Sequence, residues 1–167
     1  LIINSNAGLW GYNIGDTVKF VSIDPYKIVV TGRIKHFISA FGGHVIGEEV
    51  EAALLQVAAQ TDTSITEFTV APFVAGVDAA GKSYHEWFIS FEKAPANLDD
   101  FAAQLDTAMR QHNVYYDDLI KGAILEPLKI RTLQNDAFVQ YMRSIGKLGG
   151  QNKVPRLSND RVLADAL

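Results

Sequence analysis

"EFTVAPFVAGVDAAGKSYHEWFISFE", residues 67–92, decides how the middle of this chain folds. Two runs rich in aromatic and β-branched residues, 67–75 and 84–92, flank the loop "GVDAAGKS", which carries a Gly near each end. That pattern predicts two neighbouring antiparallel strands. In the second run His85, Trp87, Ile89 and Phe91 are spaced two apart and share one face. Pro72 has no N–H to donate to a ladder, so the first run belongs toward the edge of its sheet.

Outward from this pair the pattern changes period. Val50, Ala53, Leu54, Val57 and Ala58 repeat at helical spacing and predict a helix over 48–60, with Glu48, Glu49 and Glu51 at the positive end of its dipole. Asn97 caps a second expected helix carrying Leu98, Phe101, Leu105, Ala108 and Met109 on one side. A short segment at 115–122, a strand near 128–132 and a helix over 135–145 follow, ahead of a Gly-rich loop and a weakly patterned tail. Upstream, "TVKFVS" (17–22) and "KIVVT" (27–31) about Asp24-Pro25 predict a hairpin, and residues 35–46 hold a short strand or two around "AFGGH". From residue 35 the order is strand, helix, strand, strand, helix, strand, helix. It predicts an α+β, ferredoxin-like βαββαβ sandwich with an added C-terminal helix, preceded by a β-hairpin.

The 167 residues are enough for one domain with a real core, and 48% hydrophobic with 20% charged residues is a globular composition. No apolar run approaches the roughly 20 residues of a membrane helix. The absence of Cys removes disulfides and thiolate metal sites and fits a reducing compartment, so the cytoplasm is expected. His36, His44, His85 and His112 are scattered without metal-ligand spacing, and neither a P-loop nor a Gly-x-Ser-x-Gly elbow is present. Aromatic residues are not interleaved with Lys or Arg, which argues against nucleic acid as a partner. Residues 121–167 hold eight Lys or Arg against four acids, whereas residues 1–120 hold seven against fifteen. Such a basic end could face a nucleotide phosphate. The opening Leu1-Ile2-Ile3 reads as a strand entered partway along, so a longer parent protein is expected.

Three segments stand out together: "GLWGYNIGD" (8–16), with Asp16 at the mouth of the hairpin; "GRIKHFISAFGGHVIGEEVE" (32–51); and "GGQNKVPR" (149–156), with Lys153 in a loop. In that order they resemble the C-terminal part of adenylate-forming enzymes, and their wording resembles the Gretchen Hagen 3 family of acyl acid amido synthetases. The resemblance is strongest over 8–51 and 146–161. It implies that residues 1–32 are a remnant of an N-terminal adenylation domain and residues 33–167 a C-terminal lid domain. It also implies ATP and magnesium in the full-length protein, with acyl acid and amino acid substrates bound mainly by the N-terminal domain.

Within the resemblance, Asp16 matches the aspartate of a Tyr-x-x-Gly-Asp motif that accepts hydrogen bonds from both ribose hydroxyls of ATP. Tyr12 opens that motif, and Arg33, within Gly32-Arg33-Ile34-Lys35, matches the crossover about which the lid swings. Lys153 matches a lysine that enters the site during adenylation and offers a cation to developing negative charge. Lys147, in a Gly-Lys pair, is the competing candidate. Asn13 stands where the plant pattern has Arg, which removes a guanidinium from this turn. The isolated chain is expected to be inactive. The alternative is a non-catalytic ferredoxin-like module that binds a small ligand or pairs with another copy.

Overall fold

The computed structural model describes residues 1–33, 37, 38, 41, 44–76, 81–149 and 152–167, with Gly32, Arg33 and Phe37 described through their backbone alone. Two short strands, β1 (Ile2–Ile3) and β2 (Tyr12–Asn13), pair antiparallel. The expected hairpin follows as β3 (Asp16–Ile23) and β4 (Tyr26–Arg33), turning at Asp24-Pro25. Strands β5 (Phe37–Ile38) and β6 (Val45–Ile46) form a third small pair. The Ile34-Lys35 half of the crossover and most of "AFGGH" lie outside the described residues.

Helix α1 (Gly47–Gln60) begins where Glu49 reaches back, its Oε2 accepting from the Ile46 N–H at 3.0 Å. Its Val50, Ala53, Leu54, Val57 and Ala58 are buried, the stripe that the spacing predicts. Strands β7 (Ser64–Phe73) and β8 (Tyr84–Lys93) are the antiparallel pair read from residues 67–92. Helix α2 (Leu98–His112) starts at Asn97, whose Oδ1 accepts from the Asp99 and Asp100 N–H groups. Helix α3 (Val114–Lys121), strand β9 (Lys129–Leu133), helix α4 (Ala137–Ser144) and a short 3₁₀ turn (Ala164–Ala166) complete the order.

β7, β8 and β9 make one three-stranded sheet with β8 in the middle, antiparallel to β7 and parallel to β9. A parallel neighbour needs a crossover, and α2 with α3 supplies it. The architecture is α+β, and its element order is the ferredoxin-like series. The central strand is covered on both faces. Trp87, Ile89 and Phe91 pack with Phe68, Val70 and the α1, α2 and α3 side chains, whereas Phe88 packs with Ala71, Phe138 and Ala164 on the other side. The second face is closed by α4 and the tail. Val70 and Ala71, like Trp87, Phe88 and Ile89, therefore alternate between two cores, which is why β8 reads as a nearly continuous apolar run.

Pro72 does lie on an outer strand, and the tail covers that strand's free edge. The Val70 N–H donates to the Arg156 carbonyl at 3.0 Å, the Ser158 N–H donates to the Val70 carbonyl at 3.0 Å, and the Thr69 hydroxyl donates to the Pro155 carbonyl at 2.7 Å. This short addition satisfies backbone groups that would otherwise template pairing with another chain.

Candidate functional site

The β3–β4 hairpin brings two of the expected residues together. Asp16, at the start of β3, is the register partner of Arg33, at the end of β4. Gly15 just before it has φ of +81°, a conformation that favours glycine, and its N–H donates to the Asn13 Oδ1 at 2.9 Å. This turn leaves Asp16 half-buried at the open end of the hairpin. Tyr12 lies beside the turn in β2, opposite Ile3, with its side chain exposed. The side chain of Arg33 lies outside the described residues.

Lys153 stands in a different place. It is exposed and lines a cleft of about 630 Å³ whose walls come from α1, β7, α4, the β9–α4 connection, residues 147–149 and 152–154, and Arg156. Lys147, the competing lysine, lines the same cleft. Phe138, Val139, Met142 and Val154 give it an apolar floor, while Glu51, Glu67 and Arg156 form a charged wall. Both lysines are without an ion-pair partner among the described residues, and either has the long stem and point charge that a moving cation requires.

Arg156 is the residue of this wall that sequence reading did not nominate. Its Nη1 donates to Glu67 Oε1, its Nε lies 3.6 Å from Glu51 Oε1, and its guanidinium sits 4.6 Å from the Phe68 ring centroid. The signal was present only as an Arg directly after Pro155. What it pairs with is set by the packing of α1 on β7.

The largest titration shifts fall in the core and not at either place. Burial lowers His85 to about pKa 4, so its ring is neutral where it stacks on Tyr116, 5.2 Å between centroids. Tyr116 is pushed far up by burial and by the Asp106 carboxylate, to which its hydroxyl donates at 2.5 Å. Asp106 Oδ1 also accepts from the Leu128 N–H at 3.1 Å. Perturbed groups often mark active sites, but these are enclosed by side chains of the main core and tie α2, α3 and the approach to β9 together. Among the described residues there is no cluster of three metal-ligating side chains, and no helix is long and apolar enough to cross a membrane.

A family model described as the GH3 family C-terminal domain matches residues 48–162. The chain belongs to the GH3 family. Solved structures agree in fold. GH3.15 acyl acid amido synthetase superposes with a TM-score of 0.76 at 15% identity, covering 99% of this chain and 32% of that one. A second structure, AtGH3.15 acyl acid amido synthetase in complex with 2,4-DB, gives 0.74 at 15% identity over 99% of this chain and 31% of that one. At this identity the likeness is one of fold, and this GH3 chain spans about a third of those proteins' length. No curated protein matches in a sequence search. The structural match extends past the family match to the N-terminal hairpin, so the likeness of fold takes in the β3–β4 unit too.

Proposed function

We propose that this chain is the C-terminal portion of an ATP-dependent acyl acid amido synthetase. In the intact enzyme a substrate carboxylate oxygen attacks the α-phosphorus of ATP and pyrophosphate leaves. The amine of an amino acid then attacks the acyl carbon of the adenylate, AMP leaves, the amine loses its proton, and an amide remains. In this reading residues 1–32 belong to the N-terminal adenylation domain and residues 33–167 form the lid.

The observation that carries the reading is the pairing of Asp16 with Arg33. Asp16, the proposed ribose-facing carboxylate, and Arg33, the proposed first residue of the lid, lie on adjacent strands, so a lid turning about the crossover would turn against a nucleotide-facing acid. Asp16 suits ribose because an ionised carboxylate has two oxygens, one for each hydroxyl. The domain division finds support in the hairpin's surface. Phe20, Val21, Ile28, Val29 and Val30 are all exposed, and consecutive strand residues face opposite sides, so both faces of this unit are apolar. A sheet apolar on both faces is built to lie inside a larger body.

Lys153 supplies the cation. Delivered from its loop during the first half-reaction, its ammonium stabilises negative charge developing on the phosphoryl oxygens. No cluster on the described residues suits magnesium, and it is assigned to none of them. The alternative, a module that pairs strand to strand with another copy, is weakened by the tail segment lying along the β7 edge.

The test is pyrophosphate exchange in the full-length protein. Lys153→Ala should lower exchange at least about 100-fold while amide formation from supplied acyl adenylate continues. Near-normal exchange removes Lys153 from this role, and loss in Lys147→Ala instead would transfer the role to Lys147.

A further inference from the structure

Arg156 follows Lys153 by three residues, and its side chain spans from the loop's exit to both layers beneath. On the sheet it donates to Glu67 Oε1 and lies over the Phe68 ring at 4.6 Å; on α1 it approaches Glu51 Oε1 at 3.6 Å. Its own carbonyl holds the Val70 N–H at 3.0 Å, and Thr69 holds the Pro155 carbonyl at 2.7 Å. The chain therefore changes abruptly after Lys153, from an exposed residue to one fixed by main chain, side chain and ring at once.

Stability does not explain this arrangement. The Arg156 and Glu67 side chains are 36% and 27% exposed, and ion pairs with that much solvent contribute little to stability. What the arrangement does supply is direction. A planar guanidinium held by two carboxylates and an aromatic face has its orientation determined, which an ammonium in the same place would not have.

We infer that Arg156 is a positioning residue that pins the exit of the Lys153 loop to β7 and α1, giving the lysine a fixed pivot from which to reach the nucleotide. This rests on the proposed role of Lys153. Glu67 and Glu51 serve the same purpose by holding Arg156 rather than by touching any substrate. A loop pivoting on a fixed Arg156 delivers its ammonium to one spot, and geometric errors of about 1 Å at a reacting centre cost on the order of 100-fold in rate.

The experiment uses the full-length protein and four variants: Arg156→Gln, Arg156→Lys, Lys153→Ala and the double Lys153→Ala/Arg156→Gln. Adenylation is read by pyrophosphate exchange, the second half-reaction from supplied acyl adenylate, and folding by thermal unfolding. Arg156→Gln should lower the adenylation kcat about 10- to 100-fold with KM for ATP and acid nearly unchanged. Its second half-reaction and unfolding temperature should stay close to the parent's, and Arg156→Lys should recover part of the loss. In the double variant the Arg156 effect should vanish, because the lysine it positions is gone. Normal exchange in Arg156→Gln beside a deficient Lys153→Ala overturns the inference and leaves the role of Lys153 standing. Parallel loss of both half-reactions and of stability also overturns it, showing a merely structural arginine. Normal exchange in Lys153→Ala removes the basis for both.

Discussion

The imidazole of His85 and the phenol of Tyr116 stack at 5.2 Å with their planes 23° apart, joining the central strand to α3 through two rings that are 3% and 0% exposed. Burial keeps that imidazole neutral. Burial lowers His85 from 6.5 to about 4, so between those values the unfolded chain binds a proton that the folded one refuses. The resulting contribution is fully present above about pH 6.5 and is lost as pH falls toward 4, amounting to about 3 kcal/mol. Denaturant unfolding at pH 7.5, 5.5 and 4.5 should show this decline, and His85→Phe should flatten it across that window. Asp117, held low by Lys121 and then Arg110, acts in a separate range: its contribution is present above its ordinary 3.8 and is lost below it.

Asn113 is a joint between α1, α3 and the approach to β6. Its Oδ1 accepts from the Tyr116 N–H at 2.7 Å, while its Nδ2 donates to the His44 carbonyl at 2.7 Å and to Glu49 Oε2 at 2.6 Å. Asn113→Ala leaves the buried Tyr116 N–H without its cap and removes the donor that ties α3 to the His44 carbonyl and Glu49, and should cost about 2–3 kcal/mol in chemical denaturation. Asn113→Asp keeps the cap but turns an oxygen toward Glu49, so it should restore only part of the loss at neutral pH.

Tyr116→Phe removes the hydroxyl that donates to Asp106 while keeping the ring against His85. The Asp106 carboxylate, 7% exposed, then keeps only the Leu128 N–H of these two donors. Loss of a buried hydrogen bond to a charged group predicts a cost of about 1.5–3 kcal/mol, measured by equilibrium unfolding at pH 7.

The proposed ribose contact separates from folding. In the full-length protein Asp16→Ala should raise KM for ATP about tenfold or more, since two charge-assisted hydrogen bonds are lost. KM for the acyl acid and the unfolding temperature should change little, because Asp16 lies outside both buried clusters. An unchanged KM for ATP would remove Asp16 from the site.

Among the described residues the hairpin contributes no side chain to either buried cluster, and it meets the rest of the chain where β4 lies against α1. A chain of residues 34–167 should unfold within a few degrees of the 167-residue chain and scatter less light at high concentration, having lost its exposed Phe20, Val21, Ile23 and Tyr26. A large drop in unfolding temperature would place the hairpin within the cooperative unit instead.

Much of the fold was legible because its signals are local. The α1 stripe from Val50 to Ala58, the Asn97 cap and the period-two run from His85 to Phe91 each depend on residues a few positions apart. The second core was less legible. Phe88 alternates with Trp87 as any half-buried strand would, and only α4 and the tail returning over it show that both faces are covered. The site divides in the same way. Asp16 and Lys153 could be named from short motifs, but Arg156 could not, since its partners Glu67 and Glu51 are 89 and 105 positions away in the chain.

By itself the sequence determined the order and type of most elements, though not that Val114–Lys121 is a helix, and through three separated motifs its likeness to one family, because backbone preference and apolar period are properties of neighbouring residues. Only the tertiary structure decided that β9 lies parallel beside β8, that the tail covers the β7 edge, and that Lys147 and Lys153 share one cleft under Arg156. Those are relations between distant segments, fixed by burying both faces of a three-stranded sheet at once, and no local pattern encodes which distant segment will close each face.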